Sequence, residues 1–226
     1  MKFRAVFLDI DDTLFDFRKS SFEALVTAFA EIGVSFTEAD MPHYEVYNNR
    51  MWEMFERGEI EKEHIYEERF RLYFAERGIE ADTAAFNRKY LYELAEGVNF
   101  MPHCAELLRV LHGRVKVFIL TNGDTYAQER RIEKSGFAPY FDGVFISEQL
   151  GCKKPEKAFY DKVFSLIGEE YRGCTLMGGD SLSSDMQGGR NAGIAPCYYG
   201  KAENADDRCD YVIGDLLELL PIVENG

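Results

Sequence analysis

The segment VFLDIDDTLFD, residues 6–16, places four aspartates directly after an apolar run: Asp9, Asp11, Asp12 and Asp16. Carboxylates this close repel one another unless a cation neutralises them, and an oxygen-only ligand set suits Mg²⁺. An EF-hand calcium loop does not fit, because it needs a glycine at its sixth position and a terminal glutamate. A single DxD pattern is also typical of an ordinary acidic turn. This segment alone is therefore only a candidate for a divalent-cation site.

Three later segments add polar residues: LTNG at 120–123, GCKKPE at 151–156 and GGDSLSSD at 178–185. Each follows a predicted strand or lies in the loop after one, and doubly wound sheets gather reacting groups at the carboxyl ends of their strands. Singly, such segments are ordinary turn and cap signals. Four of them in this order are hard to attribute to chance. The candidate residues they add are Thr121, Asn122, Gly123, Lys153, Lys154, Asp180 and Asp185.

The elements that must position these residues are short β-rich runs separated by helical patterns. The runs occupy residues 3–8, 115–121, 143–147, 174–179 and 194–199. Runs such as VKVFIL are almost wholly apolar, which is typical of parallel strands covered on both faces. The alternation predicts an α/β fold, with a parallel sheet between two layers of helices.

The first gap is too long for one βαβ unit, because about a hundred residues separate strands one and two whereas such a unit usually takes ~30 or more. Four helical segments fill it, each ending near a glycine suited to a helix C-cap. We therefore predict an all-helical cap domain at residues 18–97, inserted into a core domain of residues 1–17 plus 98–226. Its aromatic-rich stripes are expected to form mostly cap core: Met51, Trp52, Phe55, Phe70, Tyr73 and Phe74.

The composition excludes several classes of function. A net charge of −14 disfavours binding to nucleic-acid polymers and anionic membranes. Five cysteines without a CxxC pair favour reduced thiols, and four scattered histidines offer no HxH or HExxH metal site. The N-terminus reaches acidic residues before a signal segment could form, and no apolar run approaches the roughly 20 residues of a membrane span, so we expect a cytoplasmic protein.

Together, DIDDTL, LTNG, KKP and GDSLSSD resemble the four signature motifs of the haloacid dehalogenase-like phosphohydrolases. The resemblance covers essentially the whole chain, and all four motifs are intact. It implies a Rossmann-like parallel sheet core with a helical cap inserted after the first strand. It also implies a Mg²⁺-dependent phosphomonoesterase that acts through an aspartyl-phosphate intermediate.

The resemblance implies roles for the carboxylates. Asp9 is the nucleophile, and Asp11 protonates the leaving oxygen and later takes a proton from water. A metal ion allows a carboxylate to approach a dianionic phosphate that would otherwise repel it. The implied Mg²⁺ ligands are the carboxylate of Asp9, the backbone carbonyl of Asp11, the carboxylate of Asp180, and Asp185 either directly or through water.

The groups implied to hold phosphate are Thr121, the backbone amides of Asn122 and Gly123, and Lys154. Lys153 competes for the last role, but Lys154 directly precedes Pro155, as the family's lysine does. Asp12 is expected to be a solvated turn residue, and Thr13 is expected to order the loop rather than contact substrate.

More narrowly, DIDDTLFDF, VYNNRMW, ERF and GDSLSSDMQGGRNAG resemble the pyrimidine nucleoside 5'-monophosphatase branch of this family. The resemblance implies a small phosphorylated metabolite, a nucleoside monophosphate, as substrate, with Asn48, Trp52 and Arg69 as cap residues that select it. The oligomeric state is left open between monomer and homodimer.

Three alternatives remain. The N-acylneuraminate 9-phosphate phosphatases, which act on a sugar phosphate, share the TNGD and GDxxxxDxQGGxNAG patterns. A 2-haloacid dehalogenase is disfavoured by Asp11, because the halide route needs neither a second acid nor Mg²⁺. A non-enzymatic phosphoacceptor domain also gathers aspartates around Mg²⁺, but a large cap and Asp11 favour turnover.

Overall fold

The structure is a computed structural model, and it describes residues 1–225. The chain divides into two compact units: Met1–Phe17 together with the chain from Val98 onward, and Arg18–Gly97. The first unit contains the β-sheet and the second is built from helices. Within residues 1–225, no helix combines the length and apolar composition that a membrane crossing requires.

Six parallel strands form one sheet in the described residues, in the order β3-β2-β1-β4-β5-β6. The predicted α/β fold is confirmed. The strands are β1 (Ala5–Leu8), β2 (Lys116–Thr121), β3 (Gly143–Ile146), β4 (Thr175–Gly179), β5 (Ala195–Tyr199) and β6 (Tyr211–Ile213). The helices are α1 (Phe17–Glu31), α2 (Met41–Glu56), α3 (Lys62–Arg77), α4 (Thr83–Glu96), α5 (Cys104–Leu111), α6 (Thr125–Ser135), α7 (Ser147–Leu150), α8 (Lys157–Ile167), α9 (Gln187–Ala192) and α10 (Leu219–Asn225).

The central strand β1 is buried on both faces. Val6 and Leu8 belong to the cluster that contains Leu107 of α5, whereas Phe7 belongs to the cluster that contains Phe159 of α8. Successive side chains of a strand point to opposite faces, so a strand covered on both sides must be apolar at every position. This explains the continuous apolar runs in the sequence.

The order of the strands reverses at β1. It lies between β2 and β4, with Leu8 in register with Ile119 on one side and Gly178 on the other. Connections leave such a central strand toward both sides, and the crevice between them opens at the carboxyl ends of the strands. Residues that follow β1, β2 and β4 therefore share one edge of the sheet.

Three local features differ from the sequence prediction. β1 begins at Ala5 rather than Phe3, because the Phe3 amide donates to the Val223 carbonyl of α10 instead of joining the sheet ladder. β6 was not predicted, since three residues are too few to give a recognisable run. Gly97, expected as a C-cap glycine, has an extended conformation with φ −88°.

The helical unit, residues 18–97, has an aromatic core. Ring centroids of Phe29 and Phe70 lie 4.6 and 4.7 Å from that of Phe86, so α1, α3 and α4 meet through these side chains. Edge-to-face and tilted arrangements of this kind stabilise a core beyond the area they bury. Of the predicted stripe residues, all but the half-buried Trp52 are buried.

Candidate active site

Asp9 comes directly after β1, at the carboxyl edge of the sheet. Its amide extends the ladder by donating to the Gly178 carbonyl at 2.9 Å, and the residue is only 7% exposed. The loop then turns back at Asp12, which has φ 54° and donates its amide to the Phe15 carbonyl at 2.7 Å. Aspartate tolerates this left-handed conformation better than most residues. The turn fixes the position of Asp9 and Asp11 relative to the strand.

Three carboxylates from separate segments meet at this edge. One oxygen each from Asp9, Asp180 and Asp185 lie within 4.8 Å of one another. Asp9 follows β1, Asp180 follows β4, and Asp185 lies in the π-helical turn Leu182–Met186. The sequence prediction that these side chains converge agrees with the geometry.

Lys154 is the cation among these carboxylates. Its side chain is 2% exposed, and its ammonium lies 2.5 Å from Asp9 Oδ1 and 2.7 Å from Asp185 Oδ1. A third donation goes to the Leu120 carbonyl at 2.9 Å, so all three ammonium protons have partners. Lys153 instead lies 3.4 Å from Glu156. The structure therefore places Lys154, rather than Lys153, at the site.

The Asn122 side chain clamps the backbone of Lys154. Asn122 Nδ2 donates to the Lys154 carbonyl at 2.9 Å, and the Lys154 amide donates to Asn122 Oδ1 at 3.0 Å. The loop that carries the lysine is thereby fixed to the end of β2. The paired bonds satisfy polar groups that would be costly to bury alone.

Burial raises the pKa of Asp9 to about 8, an effect that Lys154 opposes and that Asp185 and Asp11 reinforce. Burial and the neighbouring Asp9 and Asp185 charges also raise the pKa of Asp180 well above its usual range. Burial lowers the pKa of Lys154, but the Asp185 and Asp9 carboxylates outweigh it and the net shift is upward. The site thus carries an excess of negative charge that one lysine does not balance.

The residues present fit a divalent cation. Once ionised, three carboxylates and one ammonium leave two negative charges, and the clustered donors are all oxygens, which Mg²⁺ prefers. Among residues 1–225, Asp9 and Asp180 each accept a hydrogen bond on only one oxygen, from Lys154 and from Thr13 respectively. Their other oxygens are available to a metal ion.

Asp185 differs from the other two carboxylates because both of its oxygens accept hydrogen bonds. Oδ1 accepts from Lys154 and Oδ2 from the Ser181 amide at 3.2 Å. Its side chain also lies against Gly179, where an added Cβ would come 2.1 Å from Oδ2. A glycine at the end of β4 is therefore required for Asp185 to reach Lys154.

The end of β2 presents a hydroxyl and two backbone amides. Thr121 Oγ1 accepts from the Gly123 amide and from Gln128 Nε2, both at 2.9 Å. Because both bonds use Thr121 as acceptor, its own proton remains to donate to a ligand oxygen. The Gly123 amide, predicted to bind phosphate, donates to Thr121 in this structure, and the Asn122 side chain is used on Lys154.

A family model for haloacid dehalogenase-like hydrolases matches residues 3–193. The chain belongs to this family. It is 35% identical to the pyrimidine 5'-nucleotidase YjjG of Escherichia coli over 198 residues, which are 88% of this chain and 86% of the relative. It is 36% identical to the pyrimidine 5'-nucleotidase PynA of Streptococcus pneumoniae over 200 residues, 88% of this chain and 84% of the relative.

A solved member of the family has a very similar structure. The crystal structure of the HAD-hydrolase YfnB from Bacillus subtilis, bound to magnesium, matches with a TM-score of 0.93 and 31% identity. The match covers 99% of this chain and 100% of that one. The chain is therefore a hydrolase of this family, and two residues of its acidic cluster, Asp9 and Asp180, follow β1 and β4.

Two side chains of the site escaped sequence analysis. Gln128 and Arg131 lie on the buried face of α6, and both contact the Asp11 carboxylate: Gln128 Nε2 donates to Oδ2 at 2.5 Å, and Arg131 Nη1 donates to Oδ1. A signal was present, because Gln128, Arg131 and Ile132 have the spacing of one helix face and only the last is apolar. Polar residues on a core-facing stripe indicate a buried partner.

The three cap residues predicted to select the substrate lie in the helical unit. Arg69 is 2% exposed and donates to Asn87 Oδ1 at 2.6 Å and to Asn48 Oδ1 at 3.3 Å. Its guanidinium also stacks 4.8 Å from the Tyr90 ring. Trp52 does not join this group and packs against Phe55. The structure therefore brings Asn48 and Arg69 into contact, and brings Trp52 into contact with Phe55.

Lys154→Met is expected to lower the free energy of unfolding by about 3 kcal/mol in metal-free buffer, because it leaves two buried carboxylates without their cation. Denaturation in urea measures the change. Lys153→Met is the matched control, with an expected change of about 0.5 kcal/mol or less because that ammonium lies 3.4 Å from an exposed glutamate, Glu156, and outside the carboxylate cluster. Equal losses in the two variants would contradict the assignment of Lys154.

Proposed function

We propose that the chain is a Mg²⁺-dependent phosphomonoesterase that acts through an aspartyl-phosphate on Asp9. The observation that carries this proposal is the meeting of Asp9, Asp180 and Asp185, with Lys154 bonded to Asp9 and Asp185. Mg²⁺ is assigned to the carboxylates of Asp9 and Asp180 and to the backbone carbonyl of Asp11. Asp185 is assigned to the metal through water, because both of its oxygens already accept from protein donors.

When bound, Mg²⁺ neutralises the carboxylates and draws charge from the phosphoryl oxygens. In the first step Asp9 forms a bond to phosphorus while the phosphorus–oxygen bond to the alcohol breaks. The leaving oxygen takes its proton from Asp11. Lys154, fixed by Asn122, holds the carboxylate of Asp9 in one orientation during the attack.

The second step returns the enzyme to its starting state. Water forms a bond to phosphorus, its proton passes to Asp11, and the bond between phosphorus and Asp9 breaks. The Thr121 hydroxyl, the Lys154 ammonium, and the Asn122 and Gly123 amides are assigned to the phosphoryl oxygens. Binding through the Gly123 amide requires it to exchange its bond to Thr121 for one to the ligand. Binding through Lys154 likewise requires its ammonium to exchange one of its three present bonds.

The proposed substrates are pyrimidine nucleoside 5'-monophosphates. Two relatives at 35% and 36% identity, matched over 88% of this chain, carry the name pyrimidine 5'-nucleotidase. Asn48, Trp52 and Arg69 are proposed to select the substrate. Arg69 supports this role because it is a buried cation with no carboxylate partner among residues 1–225. We expect the enzyme to act in the cytoplasm, as a monomer or homodimer.

The other candidate activities fit the site less well. A haloacid dehalogenase needs no second carboxylic acid, yet Asp11 is held on both oxygens by dedicated donors. A phosphoacceptor domain needs no group to protonate a leaving alcohol. Hydrolysis of a sugar phosphate, such as an N-acylneuraminate 9-phosphate, requires the same core chemistry. Only a measurement of substrate preference therefore distinguishes it from hydrolysis of a nucleotide.

A screen of phosphate release with Mg²⁺ over nucleoside monophosphates and sugar phosphates tests the proposed substrate. We expect kcat/KM for uridine and thymidine monophosphates to exceed that for purine nucleotides and N-acylneuraminate 9-phosphate by about 10- to 100-fold, the discrimination that a few pocket contacts provide. Arg69→Met is expected to reduce this preference through KM, because the variant loses hydrogen-bond donors but keeps the phosphoryl-transfer site.

The possible outcomes separate the alternatives. A higher kcat/KM for the sugar phosphate would overturn the nucleotide assignment but leave the phosphatase intact. Release of halide without metal would favour a dehalogenase. A stable phosphorylated protein without continuing phosphate release would favour the phosphoacceptor domain. Unchanged preference in a folded Arg69→Met variant would remove that residue from substrate selection.

A further inference from the structure

Arg131 is a buried cation beside the site that the proposed chemistry does not use. Its side chain is 1% exposed, and its guanidinium carbon lies 5.2 Å from the Phe15 ring centroid. Its Nε and Nη2 atoms have no hydrogen-bond partner among residues 1–225. Burying polar nitrogens without partners is costly. A side chain that only filled space would not need a positive charge. The contact between the Arg131 guanidinium and the Asp11 carboxylate therefore indicates a role for that charge.

Gln128, one turn earlier on α6, completes the contact. Its Nε2 donates to Asp11 Oδ2 at 2.5 Å and to Thr121 Oγ1 at 2.9 Å, while Arg131 Nη1 reaches Gln128 Oε1 at 3.2 Å. The amide also lies over Gly123, where an added Cβ would come 2.1 Å from Nε2. Four residues thus form one continuous network from the phosphate-binding end of β2 to Asp11.

Asp11 is held differently from the other carboxylates of the site. Lys154 contacts Asp9 and Asp185, whereas Asp11 accepts one bond from Arg131 and one from Gln128. The guanidinium is a charged donor with no acceptor atom, so the oxygen it contacts must remain an acceptor. The Gln128 amide is neutral and has both a donor and an acceptor end. The oxygen facing Gln128 is therefore the one that can exchange its partner.

We propose that Arg131 and Gln128 are positioning residues for the acid–base step, an inference that rests on the proposed phosphomonoesterase function. Arg131 anchors one oxygen of Asp11, and the other oxygen, which accepts from Gln128 in this structure, exchanges that bond when it transfers a proton. In the first step its O–H bond breaks and the proton goes to the leaving oxygen as it separates from phosphorus. In the second step the same oxygen takes the proton of the attacking water.

A change of leaving group tests this proposal. Nucleoside monophosphates leave as alkoxides that need a proton, whereas p-nitrophenyl phosphate leaves as a stable phenolate that needs little help. Arg131→Met is expected to lower kcat for uridine monophosphate by about 100-fold, a part of the 10²–10⁴ that acid–base catalysis provides. With p-nitrophenyl phosphate, the same variant is expected to release a burst of one phenolate per enzyme followed by slow turnover, because only the water step is impaired.

Arg131→Lys provides the conservative variant. A lysine ammonium can still donate to Asp11, so it is expected to recover at least tenfold of the lost kcat on the nucleotide. A packing role against Phe15 predicts the reverse order, with methionine as active as lysine or more so. Arg130→Met is the matched control, because this neighbouring arginine is exposed and pairs with Glu133. Thermal unfolding of each variant separates loss of fold from loss of positioning.

The results that would overturn this inference differ from those that would overturn the proposed function. Wild-type protein that releases phosphate from neither substrate with Mg²⁺ would overturn the phosphatase itself and this inference with it. An active wild type whose folded Arg131→Met variant loses kcat equally on both substrates, without a burst, would overturn the inference alone. So would a lysine variant no more active than the methionine variant.

Discussion

Asp9→Asn is expected to reduce phosphate release at least ~10⁴-fold while the protein remains folded, because the substitution removes the nucleophile and changes little else. An amide oxygen is a poor nucleophile toward phosphorus. The variant keeps the volume of the side chain and an oxygen for Lys154 to contact. Steady-state phosphate release with saturating Mg²⁺ and nucleotide measures the loss.

The fold of this variant is expected to be retained. Burial raises the pKa of Asp9 to about 8. A carboxyl whose folded pKa lies above its unfolded value of about 4 contributes stability at low pH that is lost as pH rises through this window. A neutral amide does not carry that penalty. We therefore expect the Tm of metal-free Asp9→Asn to equal or exceed that of the wild type at about pH 9.

Asp12→Asn is the matched control for Asp9→Asn. It makes the same chemical change three positions along the chain, at φ 54°, a conformation that asparagine also adopts. Asp12 is partly exposed and has no assigned part in the chemistry. Its activity is expected to stay within a few-fold of the wild type. Comparable losses in both variants would mean that the loop's charge, and not the nucleophile, controls turnover.

The sequence was sufficient to predict the centre of the site because parallel strands share one direction. The apolar runs locate the strands, and whatever follows each strand lies at one edge of the sheet. This logic brought Asp9 and Asp180 together although 170 positions separate them in the chain. Lys154 was instead chosen over Lys153 by its position directly before Pro155, and in the structure Asn122, at the end of β2, holds the backbone of Lys154.

The features that sequence analysis missed do not depend on the order of the strands. Gln128 and Arg131 come from the side of α6, and which residues of a helix face a site depends on how the helix packs, not on strand order. The sharing of Thr121 Oγ1 between two donors is equally a result of side-chain packing. In the helical unit, periodicity identified buried aromatics but gave no means to tell that Arg69 pairs with two amides.

Removal of the metal is expected to abolish activity and to lower stability in a pH-dependent way. Chelation should reduce phosphate release at least ~10³-fold, with recovery on adding Mg²⁺, because the residual charge at Asp9, Asp180 and Asp185 repels phosphate. The pKa values of Asp9 and Asp180 are both raised by burial. Protons held by these carboxylates must leave before Mg²⁺ binds, so metal affinity rises with pH.

The coupling between proton release and Mg²⁺ binding can be measured as a change of Mg²⁺ affinity with pH. Between about pH 6 and the Asp9 pKa of about 8, the apparent Mg²⁺ affinity should increase up to about tenfold per pH unit for each proton displaced. The rise in Tm on adding Mg²⁺ should therefore be larger at about pH 8.5 than at about pH 6. Calorimetric titration in buffers of different ionisation enthalpy counts the released protons.

Asp180→Asn and Asp207→Asn provide the comparison for the metal experiment. Asp180 belongs to the carboxylate cluster, whereas Asp207 is exposed and outside it. The first variant is expected to lose most of the Mg²⁺-dependent rise in Tm, and the second to keep it. A Mg²⁺ affinity independent of pH, or an equal Mg²⁺ response in both variants, would mean that the cation binds elsewhere. The buried cluster would then be a structural network in which Lys154 is the sole counter-ion, and the aspartyl-phosphate route through Asp9 would lose its electrostatic basis.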